Sequence, residues 1–339
     1  MSTFGPTDQS ENLKIVNGVV YTHQDEQVAG IFPETVEVSA TEYALDDPEK
    51  IFFPSYEVTL IRVFLHGGVW HLTTTRKLDA FDSYWGSAKS FGAYFQETVE
   101  QISGIPLDAF LQSLKQDQVY FFLLPTHDEQ RIGVARNPRA PKLFLGGIEK
   151  GGEALYGDKL PSDERNIWEY LQPLKFDSEA ALRQYIADRR AAREDVETTG
   201  VIHCAATGFT RVLAADYLDL YRLRNNEPNV QARYISLLCA REDGPARAFK
   251  KQHPLLRFVE KDLARLVDKM YKIYLERYIR KNYYKVHPVA HFLLKKCHAV
   301  YHERREPMSK SVVRATLLTE VRQGAILSLL ASLDHLEIE

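Results

Sequence analysis

From Val58 to Leu65 the chain is apolar on both side-chain parities. Val58, Leu60 and Phe64 share one face of an extended segment with Arg62, and Thr59, Ile61, Val63 and Leu65 share the other. A strand apolar on both faces must be covered on both, so it belongs in the middle of a packed body and not in a sheet with one wet side. Gly67-Gly68 follows at once and supplies the positive φ of a tight hairpin. "VWHLTTT" is the returning strand.

The segments around this hairpin alternate between strand and helix. "KIVNGVVYT" reads as one short strand within residues 1–50, an extension packing on the body. Phe91, Phe95, Val99 and Ile102 place "SAKSFGAYFQETVEQIS" in a helix. "PLDAFLQSLKQ" starts a second helix with Pro in its first turn. "QVYFFLLP" and "RIGVA" read as strands, and residues 136–165, rich in Gly, Pro and charge, as loop. "SEAALRQYIADRRAARE" is a helix capped by Asp177 or Ser178. "TGVIHCAATGFTRVLA" is a hairpin turning near Thr207-Gly208. After Ala214 the helical period takes over, with Phe258, Leu263, Leu266, Met270, Ile273, Tyr274 and Tyr278 forming one stripe. The expected architecture is α+β: an extension (1–50), an antiparallel-sheet body (51–240) and an all-helical C-terminal domain (241–339).

Charge separates these parts. Between Pro245 and Lys310 there are 17 Lys/Arg against 6 Asp/Glu, while the whole chain carries −3. A basic lobe on an acidic body points to an anionic partner for the lobe, or to mutual attraction between the two. The three cysteines, Cys204, Cys239 and Cys297, are widely spaced and give no disulfide framework or zinc knuckle. That usage predicts a reducing, intracellular compartment. No apolar run approaches membrane-spanning length, so no membrane partner is expected.

"TTTRKLDAF" holds a Lys-x-Asp, Lys77 and Asp79, one residue short of the Lys-x-Asp-Gly with which nucleotidyltransferases attack ATP or GTP. Such a lysine has to be neutral to attack the α-phosphate, and it needs carboxylates on adjacent strands to hold a metal. The order of segments resembles the adenylyltransferase domain of phage-type ATP-dependent RNA ligases, within the covalent nucleotidyltransferase superfamily. The strand–Gly turn–strand with its Thr-rich end, "FFLL", "EQRIGV", "TGVI" and "TRVLAADYLDLY" carry this resemblance. Patterns such as "RKLDAF.S.W....SFG..F" and "Y...LR.N.P....RY" also look like ligase-like proteins of large DNA viruses.

The resemblance implies a nucleotidyltransferase (ATP-grasp-like ligase) body and a specific register. It lays the nucleophile motif on Ser55-Tyr56-Glu57-Val58, so serine stands at the lysine position and Glu57 keeps the acid. Leu123 and Thr199 stand at carboxylate positions, and Arg211 and Leu213 at those of two lysines. Arg76, Lys77 and Arg131 fall, with Glu57 and Arg211, at nucleotide-contacting places. A serine cannot form the nucleotidyl phosphoramidate, so the expectation is an inactive ligase-like protein with no cofactor. The alternative is an active ligase or capping-type enzyme using Lys77 with Asp79, ATP and Mg²⁺; a further alternative is a structural virion component.

For the lobe, the cation-and-tyrosine pattern of "KMYKIYLERYIRKNYYK" and the "YRLRNNEPNVQARY" segment nominate Arg222, Arg224, Arg233, Lys269, Lys272, Arg277, Arg280 and Lys281 as contacts to nucleic acid. A viral or host protein is the other candidate partner. His298 and His302, four apart, have metal-compatible spacing, yet no fourth ligand is evident and no metal is expected.

Overall fold

The chain opens with a small antiparallel sheet, β1 (Leu13–Val16), β2 (Val19–Thr22) and β3 (Gln27–Ala29). "KIVNGVVYT" is therefore a hairpin, not one strand, because Asn17 and Gly18 both take positive φ (50° and 84°) and turn the chain back. There follow β4 (Thr35–Ser39), β5 (Phe52–Tyr56), β6 (Val58–His66), β7 (Val69–Thr73), α1 (Phe91–Ser103), α2 (Leu107–Ser113), β8 (Val119–Pro125), β9 (Phe144–Lys150) and β10 (Glu153–Leu155). Next come α3 (Ser162–Ile167), α4 (Glu179–Ala191), β11 (Thr198–Ala205), β12 (Gly208–Leu213) and α5 (Ala215–Arg224). The stretch 136–165 thus contains two strands and a short helix where composition had indicated loop. The structure is a computed structural model and describes residues 13–31, 35–125, 132–133, 140–192, 194, 196–205, 208–282, 286–305 and 307–335.

Two compact units divide the chain, Met1–Arg222 and Leu223–Glu339, the break falling ahead of residue 240. The first unit is α+β. Its five-stranded sheet, in the order β10-β9-β8-β6-β7, is antiparallel throughout. One face, carrying Ile61, Val63 and Phe122, packs under α1 and α2 with Phe95 and Phe110. The other, carrying Phe64 and Phe121, packs on Leu13 and Val20 of the small sheet. That is the two-sided burial foreseen for the Val58–Leu65 strand. A four-stranded sheet, β4-β12-β11-β5, is antiparallel except for the parallel β12–β4 pair. Phe52, Val201 and Val212 of that sheet meet Leu182 and Ile186 of α4 and Tyr217 of α5. Caps mark the helix starts: Ser90 Oγ accepts from Ala93 N, and Ser178 Oγ, not Asp177, from Ala181 N.

His71 of β7 is buried, stacks on Phe64 with ring centroids 5.1 Å apart, and has no hydrogen-bond partner at Nε2 among the described residues. Burial lowers its pKa below the usual histidine value. Below about pH 6.5 the unfolded chain therefore takes up a proton that the folded one refuses, and stability drops until the folded-state pKa is passed. Urea titrations at pH 7.5 and 5.5 are expected to show this loss in the wild type and a smaller one in His71→Phe. Trp70, Trp85 and Trp168 all lie in the first unit, so their fluorescence reports on it alone.

The second unit is all-helical: α6 (Val230–Cys239), α7 (Asp243–Gln252), α8 (Leu256–Tyr274) with a π turn at Leu275–Ile279, α9 (Pro288–Arg304), α10 (Lys310–Glu320) and α11 (Gln323–Ala331). Leu263, Leu266, Met270, Ile273 and Tyr274 of α8 are buried in its core, with Tyr271 and Tyr278 packed at the edge. Phe258 is not part of that stripe; Val259 and Val267 fill the core instead. Among the described residues, no helix is long and apolar enough to cross a membrane.

Candidate functional site

β11 pairs with β5 on one side and β12 on the other, so three positions distant in sequence converge. Ser55 and Thr199 are buried, and Arg211 reaches both. Arg211 Nε donates to Ser55 Oγ (2.7 Å), and Nη2 donates to Tyr56 O (3.0 Å) and Thr199 Oγ1 (3.1 Å). Thr199 Oγ1 in turn is within donating reach of Ser55 O (3.0 Å) and Ser55 Oγ (3.1 Å). Arg211 Nη1 completes the set with Glu37 of β4, 3.3 Å away. The guanidinium fork thus knits β4, β5, β11 and β12 at one point.

Glu57, in the single-residue gap between β5 and β6, is buried. Its two carboxylate oxygens accept from the backbone N–H groups of Ile132 (2.6 Å) and Gly133 (2.9 Å), and the Tyr217 hydroxyl also bonds it. Burial first, then the neighbouring Glu57, push the Tyr217 phenol well above its ordinary pKa, so it is a neutral donor here. The Glu57 carboxylate is thus engaged by the protein's own donors.

Glu37, Ser55, Glu57, Arg211 and Tyr217 line a cavity of about 790 Å³. Phe53, Tyr156 and Phe209 meet edge to face along one wall, and Trp85 and Phe91 contribute elsewhere. Leu123 lies on the lining against Gly146 and gives it an aliphatic surface. Cys204 also lines the cavity, but burial pushes its thiol up to about 12, which keeps it protonated and poorly nucleophilic at neutral pH. Among the described residues, no lysine lines the cavity and no trio of His, Cys, Asp or Glu is placed to hold a metal ion.

The remaining sequence-nominated positions scatter. Arg76 lies on the lining with its side chain exposed. Lys77 is exposed, off the lining and without an ion pair among the described residues, while the Asp79 carboxylate accepts from Phe81 N at 2.7 Å. Lys77 is therefore beside neither Glu57 nor an open Asp79. Leu213 belongs to the core with Val201 and Val212. Arg131 lies outside the described residues. Glu37 and Tyr217 were missed by motif reading: Glu37 reaches Arg211 only through the long-range pairing of β4 with β12.

In the helical part, Arg224 is fully buried, with Nη2 donating to Pro228 O at 2.7 Å, and Arg233 Nε donates to Leu223 O at 2.7 Å. Both brace the turn before α6, so burial removes Arg224 from the set of nucleic-acid contacts. Arg222, Lys272, Arg280 and Lys281 are exposed; Arg280 pairs with Glu276 and Lys272 with Asp268, and Arg277 is half-buried. Lys269 Nζ donates to Leu333 O at 3.0 Å. His298 and His302 approach through their Nε2 atoms at 3.0 Å, and Tyr278 stacks on His298.

The chain matches no known protein-family profile. It is 26% identical over 240 residues to the immediate-early protein ICP-46 homolog of Invertebrate iridescent virus 3, covering 69% of this chain and 51% of that protein. It is 25% identical over 320 residues to the homolog of Invertebrate iridescent virus 6, covering 86% of this chain and 68% of that one. The chain thus spans only about half the length of the first relative. Among solved structures it is similar to an archaeal ATP-dependent RNA ligase, with a TM-score of 0.44, 11% identity, and 74% and 71% of the two chains covered.

Proposed function

We propose that this chain is a catalytically inactive, ligase-like protein of a viral setting whose helical unit binds nucleic acid. One observation supports the first part: at Ser55, where the sequence resemblance lays the nucleophilic lysine, the hydroxyl accepts a 2.7 Å hydrogen bond from Arg211. Arginine is always charged and its lone pairs are delocalised, so it cannot replace a neutral lysine as nucleophile. Glu57 serves as a clamp for the 132–133 backbone, and Leu123 offers no metal ligand.

The basic excess of the C-terminal lobe supports a nucleic-acid partner, and the viral relatives support the setting. Incubating the chain with ATP or GTP labelled at the α-phosphate, with Mg²⁺ or Mn²⁺, and resolving it on a denaturing gel is expected to give no labelled band. A band that survives denaturation overturns the inactive assignment, and its loss in Lys77→Ala would place the nucleophile there. Binding to oligonucleotides is expected to weaken steeply with salt. Binding independent of salt, or none, would leave a structural or protein-binding role.

A further inference from the structure

Phe258 lies off the buried stripe of α8, on the face opposite its core contacts; it is 47% exposed, and Leu255 is 73% exposed. Two cations hold the Phe258 ring. The Arg257 guanidinium carbon lies 4.8 Å from its centroid and Lys261 Nζ 5.6 Å. Neither cation has an ion pair among the described residues. From Lys261 the same helix presents Arg265, Lys269 and Lys272 along an open groove of about 910 Å³. Their spacings of four, four and three keep them on one face. Each four-residue step advances about 6 Å along the axis, a stride comparable to that between neighbouring phosphates of an extended strand.

Carboxylates are also present. Asp268 pairs with Lys272 (2.9 Å) and with Lys310, and Arg265 bonds Asp262 (3.1 Å) and Asp334 (2.8 Å). These pairs lie at the surface, with Asp268 partly buried, and surface pairs are of small net value, so a phosphate can replace them. An exposed aromatic ring braced by two cations at the head of a cationic track is the arrangement that binds unpaired bases and their backbone together.

We infer that this face of α8 is a binding site for single-stranded nucleic acid, with a base stacked on Phe258 and phosphates following Lys261, Arg265 and Lys269. The inference rests on the nucleic-acid reading of the helical unit and narrows it to unpaired strands, because a duplex keeps its base faces stacked away from such a platform. It adds Phe258, Lys261 and Arg265 to the residues nominated from sequence.

Fluorescence anisotropy on the full chain tests it, with a labelled mixed-sequence 20-mer, the matching duplex, and poly-glutamate as competitor, at two salt concentrations. The single strand is expected to bind more tightly than the duplex. Phe258→Ala is expected to weaken single-strand binding about ten-fold with the salt dependence unchanged, and Phe258→Trp to preserve it. Lys261→Ala with Lys269→Ala is expected to flatten the salt dependence. Circular dichroism confirms that these surface variants stay folded. Equal binding by Phe258→Ala and wild type, equal affinity for strand and duplex, or displacement by poly-glutamate as effective as by unlabelled strand would each overturn the inference. Failure to bind either oligonucleotide is a different result, and it removes the nucleic-acid reading itself.

Discussion

Arg62→Ala is expected to destabilise the first unit by about 3–5 kcal/mol. Arg62 lies on β6 and is 2% exposed. Its Nε donates to Thr73 Oγ1 on β7 (2.9 Å), and its Nη1 donates to Gly18 O and Gly30 O, both at 2.6 Å. One side chain thus ties the small N-terminal sheet to the five-stranded one. Burial lowers its pKa to about 10, with Glu149 pulling the other way, so it remains charged at neutral pH. Truncation leaves buried carbonyls without donors, and buried unsatisfied groups are the expensive ones. Arg62→Lys keeps the charge but cannot span three acceptors with a planar fork, so an intermediate loss is expected. Urea unfolding followed by tryptophan fluorescence measures both; a loss under 1 kcal/mol for Arg62→Ala would mean that the small sheet is held by other contacts.

Gly200→Ala is expected to cost about 3 kcal/mol and to dismantle the Ser55–Thr199–Arg211 network. A Cβ at Gly200 would stand 2.0 Å from the Val212 carbonyl oxygen and 2.9 Å from Leu213 Cα. Both are backbone atoms of the paired strand, so relief requires β11 and β12 to separate. Gly200 also adjoins the irregularity between Thr198 and Gly200 in the β11–β5 register. Moving it moves Thr199, whose hydroxyl meets both Ser55 and Arg211. Thr199→Val, which deletes only the hydroxyl, is the control, with an expected loss of about 1 kcal/mol. The same fluorescence titration compares the two, and equal losses would show that the backbone clash is relieved cheaply.

The parts of this fold that sequence disclosed are those written locally. Two-sided apolarity at Val58–Leu65 announced a strand covered on both faces, and it packs between two cores. The serine cap of α4 and the buried stripe of α8 from Leu263 to Tyr274 were equally local. The strands at Phe144–Lys150 and Glu153–Leu155 were not legible, because Gly-rich and charged composition hid a sheet edge that only pairing with β8 stabilises. Of the positions the resemblance nominated, Ser55, Glu57, Leu123 and Arg211 line one cavity, and Thr199 bonds to Arg211. Glu37 and Tyr217 stayed invisible because nothing local to either marks its partner. Phe258 misled because it stands one position before Val259, the residue in phase with Leu263 and Leu266.

The two larger sheets differ in when a nascent chain could complete them. Every pairing in the five-stranded sheet joins segments between Val58 and Leu155. The four-stranded sheet instead needs Thr35–Ser39 and Phe52–Tyr56 to wait for the Thr198–Leu213 hairpin. Loop closure over such separations is slow and cannot start until the later partner exists. During synthesis from the N-terminus, the five-stranded sheet can therefore form first. The cavity holding Ser55 and Arg211 is completed only after the five-stranded sheet, when more than half of the chain has emerged.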